Sequence, residues 1–343
     1  MKNRREFLSG AATLGAGLLL PQAGSSAQSR TSAATRIDVH SHFAPPDYIS
    51  ELRPKGVINP QMFDWTPAKH IEEMDHAGVA TAVTSISPPG IWFVDNPTAR
   101  RIARICNDYA ARFSSDNKGR IGIFAALPAP DLDGSLKEVE YALDTLKADG
   151  ISMYTNYGDK WLGDPYFAPL FEELNRRKAV VYTHPISANC CRNVLMPDIA
   201  DSAIEWGTDT TRAITRLIFS GSAAKYPDIR WIFSHAGGTM PYLVERFNLI
   251  AKSPKFAPQF PQGFVAAANK LYYDTAQTAN PAAMSALRKV INLSQIVFGT
   301  DYPYRTCSEH VKGLKECGLF TAKELLAVDR TNALALLPRY KSV

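Results

Sequence analysis

Eight short runs rich in β-branched and aromatic residues recur along this chain, and an amphipathic stretch of helical spacing follows most of them. The runs are 36–43, 79–87, 121–129, 150–155, 179–185, 229–236, 271–276 and 296–301. Helical spacing marks 96–113 (Ile102, Ile105, Tyr109, Phe113), 134–147, 166–177, 211–220, 242–251 and 281–290. Buried parallel strands read as near-continuous apolar runs, and strict strand–helix alternation requires crossover connections. Eight repeats of that unit predict an α/β fold, a (β/α)8 TIM barrel. A doubly wound open sheet is the alternative, but it usually carries a Gly-rich phosphate turn after its first strand, and this chain has none there. No repeat, low-complexity segment or linker divides 28–343, so that stretch reads as one domain. Three loops, 44–66, 186–208 and 240–269, are longer than a barrel needs and are expected at its C-terminal face, where active sites sit.

Residues 1–27 are set apart from the fold. Arg4-Arg5 with Phe7 and Leu8 forms a twin-arginine pattern, a Gly- and Ala-rich apolar stretch follows to Leu20, and Ser25-Ser26-Ala27 suits cleavage. The pattern resembles a Tat export signal, with the periplasm as destination and the Tat machinery as a partner. That route carries proteins already folded. The apolar stretch is short for a membrane span.

The 343 residues carry a net charge of +5, and Lys2, Arg4 and Arg5 against Glu6 account for two of those charges. No Lys/Arg cluster is dense enough for a nucleic-acid surface. Five cysteines, Cys106, Cys190, Cys191, Cys307 and Cys317, lack zinc-knuckle spacing, and their odd number argues against a full disulfide framework. Cys190-Cys191 reads as packed loop thiols. His70 and His76, on a stretch rich in Glu72, Glu73 and Asp75, read as solvated, and His310 as structural.

Histidines gather at the ends of the runs. His40 and His42 are two apart and therefore share a face of the first strand. The fifth run ends Thr183-His184-Pro185, the sixth Ser234-His235-Ala236, and the eighth Gly299-Thr300-Asp301-Tyr302-Pro303. A barrel brings such ends around one axis, within reach of one divalent ion. Each histidine alone could equally be a hydrogen-bonded core residue.

Together, Ile37-Asp38-Val39-His40-Ser41-His42, Thr183-His184-Pro185, Ser234-His235-Ala236-Gly237-Gly238 and Gly299-Thr300-Asp301-Tyr302-Pro303 resemble the amidohydrolase superfamily. The likeness is to its amidohydrolase-2 branch, home of aminocarboxymuconate semialdehyde and γ-resorcylate decarboxylases. It runs from about Arg36 to Asn332-Ala333. Ser85-Ile86-Ser87-Pro88-Pro89-Gly90 and Leu162-Gly163-Asp164-Pro165 are similar to 6-methylsalicylate decarboxylase-like members. The resemblance implies one metal on His40, His42, His184 and Asp301, with His235 beside it, and a homodimer in which Arg246 serves a neighbouring subunit. Arg246 reads equally as a helix-surface charge, and Arg53 is a weaker candidate for the substrate carboxylate. The donor set suits Zn²⁺ first and Mn²⁺ second. Binuclear members carry a strand-4 lysine that is absent from Gly150–Asn156, and Lys160 lies too far along, so a mononuclear site is expected.

Such a site allows two chemistries. A metal-bound hydroxide hydrolyses a lactone or amide. Alternatively, a chelated hydroxy-aromatic or muconate-type acid is protonated at the carbon bearing its carboxylate and releases CO2, with no organic cofactor. The branch favours the second. Asp301 or His235 would then manage the proton. Trp92 could wall an aromatic pocket or simply pack, and Gln277 is placed toward the same cavity.

Overall fold

In the computed structural model, residues 34–57, 59–91, 95–196 and 198–343 are described. The proposed export signal and Trp92 lie outside them. Each of the eight sequence runs contains a strand: β1 Arg36–Phe43, β2 Val79–Ile86, β3 Ile121–Ala126, β4 Gly150–Tyr154, β5 Val180–His184, β6 Arg230–Phe233, β7 Tyr272–Asp274 and β8 Ile296–Val297. All pair in parallel and in chain order. β8 has only two regular residues, so the segment after it closes the ring. Val39 N–H donates to Phe298 O (3.0 Å), Asp301 N–H to His40 O (2.8 Å) and His42 N–H to Tyr302 O (2.7 Å). The architecture is the expected (β/α)8 barrel.

Two apolar layers hold it. Inside the ring, Ile37, Val39, Val83, Phe124, Val180, Tyr182, Ile232 and Val297 form one cluster, joined by Ala333, Leu336, Leu337 and Tyr340 of the C-terminal segment. A larger cluster fills the space between the strands and the surrounding helices. Among the latter, Asn96–Asp116 starts where Asp95 Oδ1 accepts the Thr98 N–H (2.8 Å), satisfying one orphan donor of the first turn.

The register of β1 against β2 shifts by one residue between Asp38 and Ser41. Such a bulge resets strand alternation. Ile37 and Val39 can therefore join the inner cluster while His40 and His42, further along, also face the barrel axis. After β6, β7 and β8 the chain leaves the extended conformation. His235, Ala236, Gln277 and Asp301 all have positive φ (53°, 56°, 56° and 69°), each costing roughly 1 kcal/mol or more in a non-glycine residue. Gly299 is needed for close approach: a Cβ there would lie 2.8 Å from His40 Cβ and 3.0 Å from Asp274 Cβ.

Two local details differ from the sequence reading. The helix read at 134–147 is α-helical over Leu132–Glu140 and then widens into a π turn at Tyr141–Thr145. A small hairpin pairs Asn156–Tyr157 with Lys160–Trp161, which places Lys160 away from the end of β4. Among the described residues no helix is long and apolar enough to cross a membrane.

Candidate metal centre

The C-terminal ends of β1, β5 and the β8 segment bring His40, His42, His184 and Asp301 together, each buried, with one ligand atom of each within 4.8 Å of the others. Neighbours fix the orientation of every imidazole. His40 Nδ1–H donates to Asp274 Oδ2 (2.8 Å), His42 Nδ1–H to Ser85 O (3.3 Å) and His184 Nδ1–H to Pro185 O (2.8 Å). Each ring thus turns an Nε2 lone pair inward. His40 Nε2 lies 3.2 Å from His42 Nε2 and 3.1 Å from Asp301 Oδ1, and His42 Nε2 lies 3.0 Å from that oxygen. His184 Nε2 and Asp301 Oδ1 are buried and make no hydrogen bond. Four acceptor atoms converging without a donor fit a divalent cation, because buried polar atoms otherwise find partners.

The electrostatics agree. Burial opposes charge on His40, but Asp274 and Asp301 outweigh it and raise the imidazole to about 10. Burial pushes Asp301 up, yet the imidazole of His40 foremost, with those of His235 and His42 beside it, holds its carboxyl well below the usual range. Burial lowers His42 and His184, whose rings stay neutral and ready to ligate. A site that draws a proton onto His40 draws a divalent cation for the same reason.

His235 and Gln277 meet on the other oxygen of Asp301. His235 Nε2 lies 3.2 Å from Oδ2, and Gln277 Nε2–H donates to Oδ2 at 3.0 Å. His235 retains some exposure, at 12% of its side chain. The structure therefore gathers His40, His42, His184, Asp301, His235 and Gln277. It does not bring Arg246 or Arg53 to them: Arg246 is exposed on the helix Met240–Ala251, and the Arg53 guanidinium sits 4.1 Å over the Phe63 ring.

Several residues escaped the sequence reading. Asp274, at the end of β7, anchors His40. Asp38, pushed up to about 7 by burial, accepts from His40 N–H (2.9 Å), Thr300 N–H (3.1 Å) and Thr300 Oγ1–H (2.6 Å), tying β1 to the Asp301 turn. At the strand-4 position without a lysine, buried Asp209 accepts from Thr155 Oγ1, Asn156 Nδ2 (2.7 Å) and Trp161 Nε1 (2.6 Å). Aromatic rings flank the ligands, Tyr304 beside His42 (5.8 Å between centroids) and Trp206 beside His184 (5.5 Å). Strand-end position was the available signal for Asp274, and the residues near Asp301 were the signal for Tyr304.

His70 corrects the solvated reading. It shares the inner face of Pro67–Ala77 with Met74 and Ala77, accepts Trp65 Nε1–H at Nδ1 (3.1 Å) and donates from Nε2 to Ser41 Oγ (3.0 Å). His76 is exposed as expected. His310 is buried with its Nε2 3.0 Å from Thr275 Oγ1. Cys190 and Cys191 also correct the reading: they pair with each other as a vicinal disulfide, and Cys190 is exposed.

Burial lowers His70 and His310 to about 3 each. Between that value and about 6.5 the unfolded chain binds protons that the folded chain refuses, so stability falls as pH falls, by up to about 1.4 kcal/mol per pH unit for each histidine. Urea unfolding from pH 6 to 4.5 should therefore show His310→Gln losing stability less steeply than the parent chain, by about 1.4 kcal/mol per unit. Parallel slopes would refute a neutral buried His310.

Comparison with known proteins supplies the lineage. A family model described as amidohydrolase matches residues 37–339. Decarboxylase yanB of Aspergillus niger is 35% identical over 327 residues, covering 89% of this chain and 88% of that one. The 6-methylsalicylic acid decarboxylase of Penicillium expansum is 34% identical, covering 90% and 98%. In fold, a dihydroxybenzoic acid decarboxylase from a Polaromonas species, solved with manganese and 2-nitroresorcinol, superposes with a TM-score of 0.75 at 20% identity, covering 90% and 99%. The matched span takes in all four converging ligand residues, and the chain belongs to the amidohydrolase family.

Proposed function

We propose that this chain is a metal-dependent, non-oxidative decarboxylase of a small hydroxy-aromatic, salicylate-type carboxylic acid. The observation that carries the reading is the complete donor set, with His235 on the second oxygen of Asp301, in a chain about one-third identical to a 6-methylsalicylic acid decarboxylase across nearly its whole length. A divalent ion on His40, His42, His184 and Asp301 would supply Lewis-acid polarisation of the substrate carboxylate and its neighbouring hydroxyl oxygen. Three imidazoles and a carboxylate favour Zn²⁺, with Mn²⁺ the alternative that the Polaromonas relative carries.

The chain's own residues then handle the proton. Asp301 Oδ2, His235 Nε2 and Gln277 Nε2 form one contiguous group facing the ligand cluster, suited to holding a proton beside a bound ring. Transfer of that proton to the carbon bearing the carboxylate forms a C–H bond. The C–C bond to the carboxylate breaks, CO2 departs, and its electron pair remains with the ring carbon. Tyr304 and Trp206 stand beside His42 and His184 and offer aromatic faces to a bound ring. Carbon dioxide released from 2-hydroxybenzoates by metal-loaded protein tests the reading. Lactone or amide hydrolysis without CO2 from any such acid would replace it with a hydrolase.

A homodimer is part of the reading. The helix Met240–Ala251 presents Tyr242 and Leu249, 86% and 73% exposed, together with Arg246. A groove of about 860 Å³ lined by Phe219, Leu243, Phe247, Ile250 and Phe256 adjoins them. Pairing through this face would bury the apolar side chains and offer Arg246 to a neighbour's substrate carboxylate. Arg246→Ala should then lower kcat/KM about 10- to 100-fold, mainly through KM, without changing the dimer mass measured by light scattering. A monomeric parent, or a variant within twofold of it, would refute the arrangement. We also read residues 1–27 as a Tat signal directing the chain to the periplasm. Export that persists unchanged after Arg4→Lys with Arg5→Lys would refute that.

A further inference from the structure

The Asp274 carboxylate is fully buried and accepts from three segments of the site at once. His40 Nδ1 lies 2.8 Å from Oδ2, while the backbone N–H groups of His235 and Ala276 donate to Oδ1 at 2.9 and 3.0 Å. We propose that Asp274 is a positioning residue that couples the ligating edge of His40 to the placement of His235 and Gln277.

A carboxylate only accepts, so the contact with Oδ2 requires a proton on His40 Nδ1 and leaves Nε2 as a lone pair in the ligand cluster. The bond from His235 N–H holds a residue whose φ is +53°, a conformation the chain would otherwise leave. The bond from Ala276 N–H fixes the turn into Gln277, φ +56°, whose amide reaches Asp301 Oδ2. Metal ligand, proton-handling histidine and the amide on Asp301 therefore share one support. A Cβ at Gly299 would lie 3.0 Å from Asp274 Cβ, so the glycine leaves the room that the carboxylate occupies.

Asp274→Asn separates this role from that of a generic buried carboxylate. Asparagine has one acceptor and one donor edge. If its oxygen keeps the two backbone N–H groups, its NH2 faces His40 Nδ1, moves that ring's proton to Nε2 and blocks ligation. If it turns over, His235 and Ala276 lose their acceptor. The variant should bind Zn²⁺ about 10- to 100-fold more weakly in chelator competition. When saturated with Zn²⁺, its kcat should fall about tenfold or more with KM little changed, because His235 is misplaced. In Zn²⁺-loaded parent protein labelled with 15N-histidine, His40 should show a slowly exchanging Nδ1–H signal, a readout available even if the variant does not fold.

The kinetic arm rests on the decarboxylase reading, and the other two do not. Should the parent release no CO2, that reading fails while Zn²⁺ affinity and the Nδ1–H signal still decide the role of Asp274. A folded variant with parental Zn²⁺ affinity, or a parent lacking the His40 Nδ1–H signal, overturns the proposal. Weakened affinity with parental kcat at saturation overturns the coupling to His235.

Discussion

Asp301→Asn should reduce the rate of CO2 release by about 10³-fold, within the range expected when a positioned acid–base group is lost. The substitution preserves shape and removes charge. In the native site Oδ1 faces His40 and His42, while Oδ2 faces His235 and accepts from Gln277. An amide nitrogen at either position meets the wrong partner: a ligand lone pair on one side, or the Gln277 N–H group on the other. Metal content must be measured on the same sample, because weaker ligation and loss of the proton route both follow from the change. A variant carrying parental metal and more than a tenth of parental kcat would remove Asp301 from the chemistry.

The second large effect concerns the metal. His40→Ala with His42→Ala should leave less than about a tenth of an equivalent of divalent ion after purification, because half of the donor set is gone. Elemental analysis showing unchanged stoichiometry would remove the central claim. This pair also leaves Asp274 buried without its imidazole partner and Asp301 with His235 alone, a loss that costs roughly 3–5 kcal/mol, so thermal stability should fall as well. His184→Ala is the cleaner companion. Its Nδ1 bonds only the adjacent Pro185 carbonyl, and its removal strands no buried charge. It should lose metal while the metal-free protein keeps its melting temperature to within a few degrees.

The barrel was legible because buried parallel strands need apolar runs on both faces, and this chain has eight of them in order. The ligand set was legible for a related reason: His40, His184, His235 and Asp301 stand at the ends of those runs, where chain order maps onto one face of the fold. What stayed hidden depends on contacts between distant segments. Asp274 meets His40 across 234 positions, and nothing in the local sequence distinguishes it from any strand-end carboxylate. His70 was misread because charge on Glu72, Glu73 and Asp75 dominates its neighbourhood, while the helix phase that turns it inward is set by packing against Trp65 and Ser41. The bulge in β1 is a mismatch between two strands and has no signature in either alone. Arg246 stands exposed on its own helix, and no contact within the described residues brings it to the ligand cluster.

The ring of strands closes through the same backbone that carries His40, His42 and Asp301, the first and last parts of the barrel to be made. An N-terminal fragment lacking the final strand therefore has neither a finished barrel wall nor a complete set of donors. Ion capture becomes a report on topological completion: only a chain whose two ends have met can hold the metal tightly. Conversely, a bound ion would act as a clasp across that seam, and opening of the barrel should begin elsewhere once the clasp is in place.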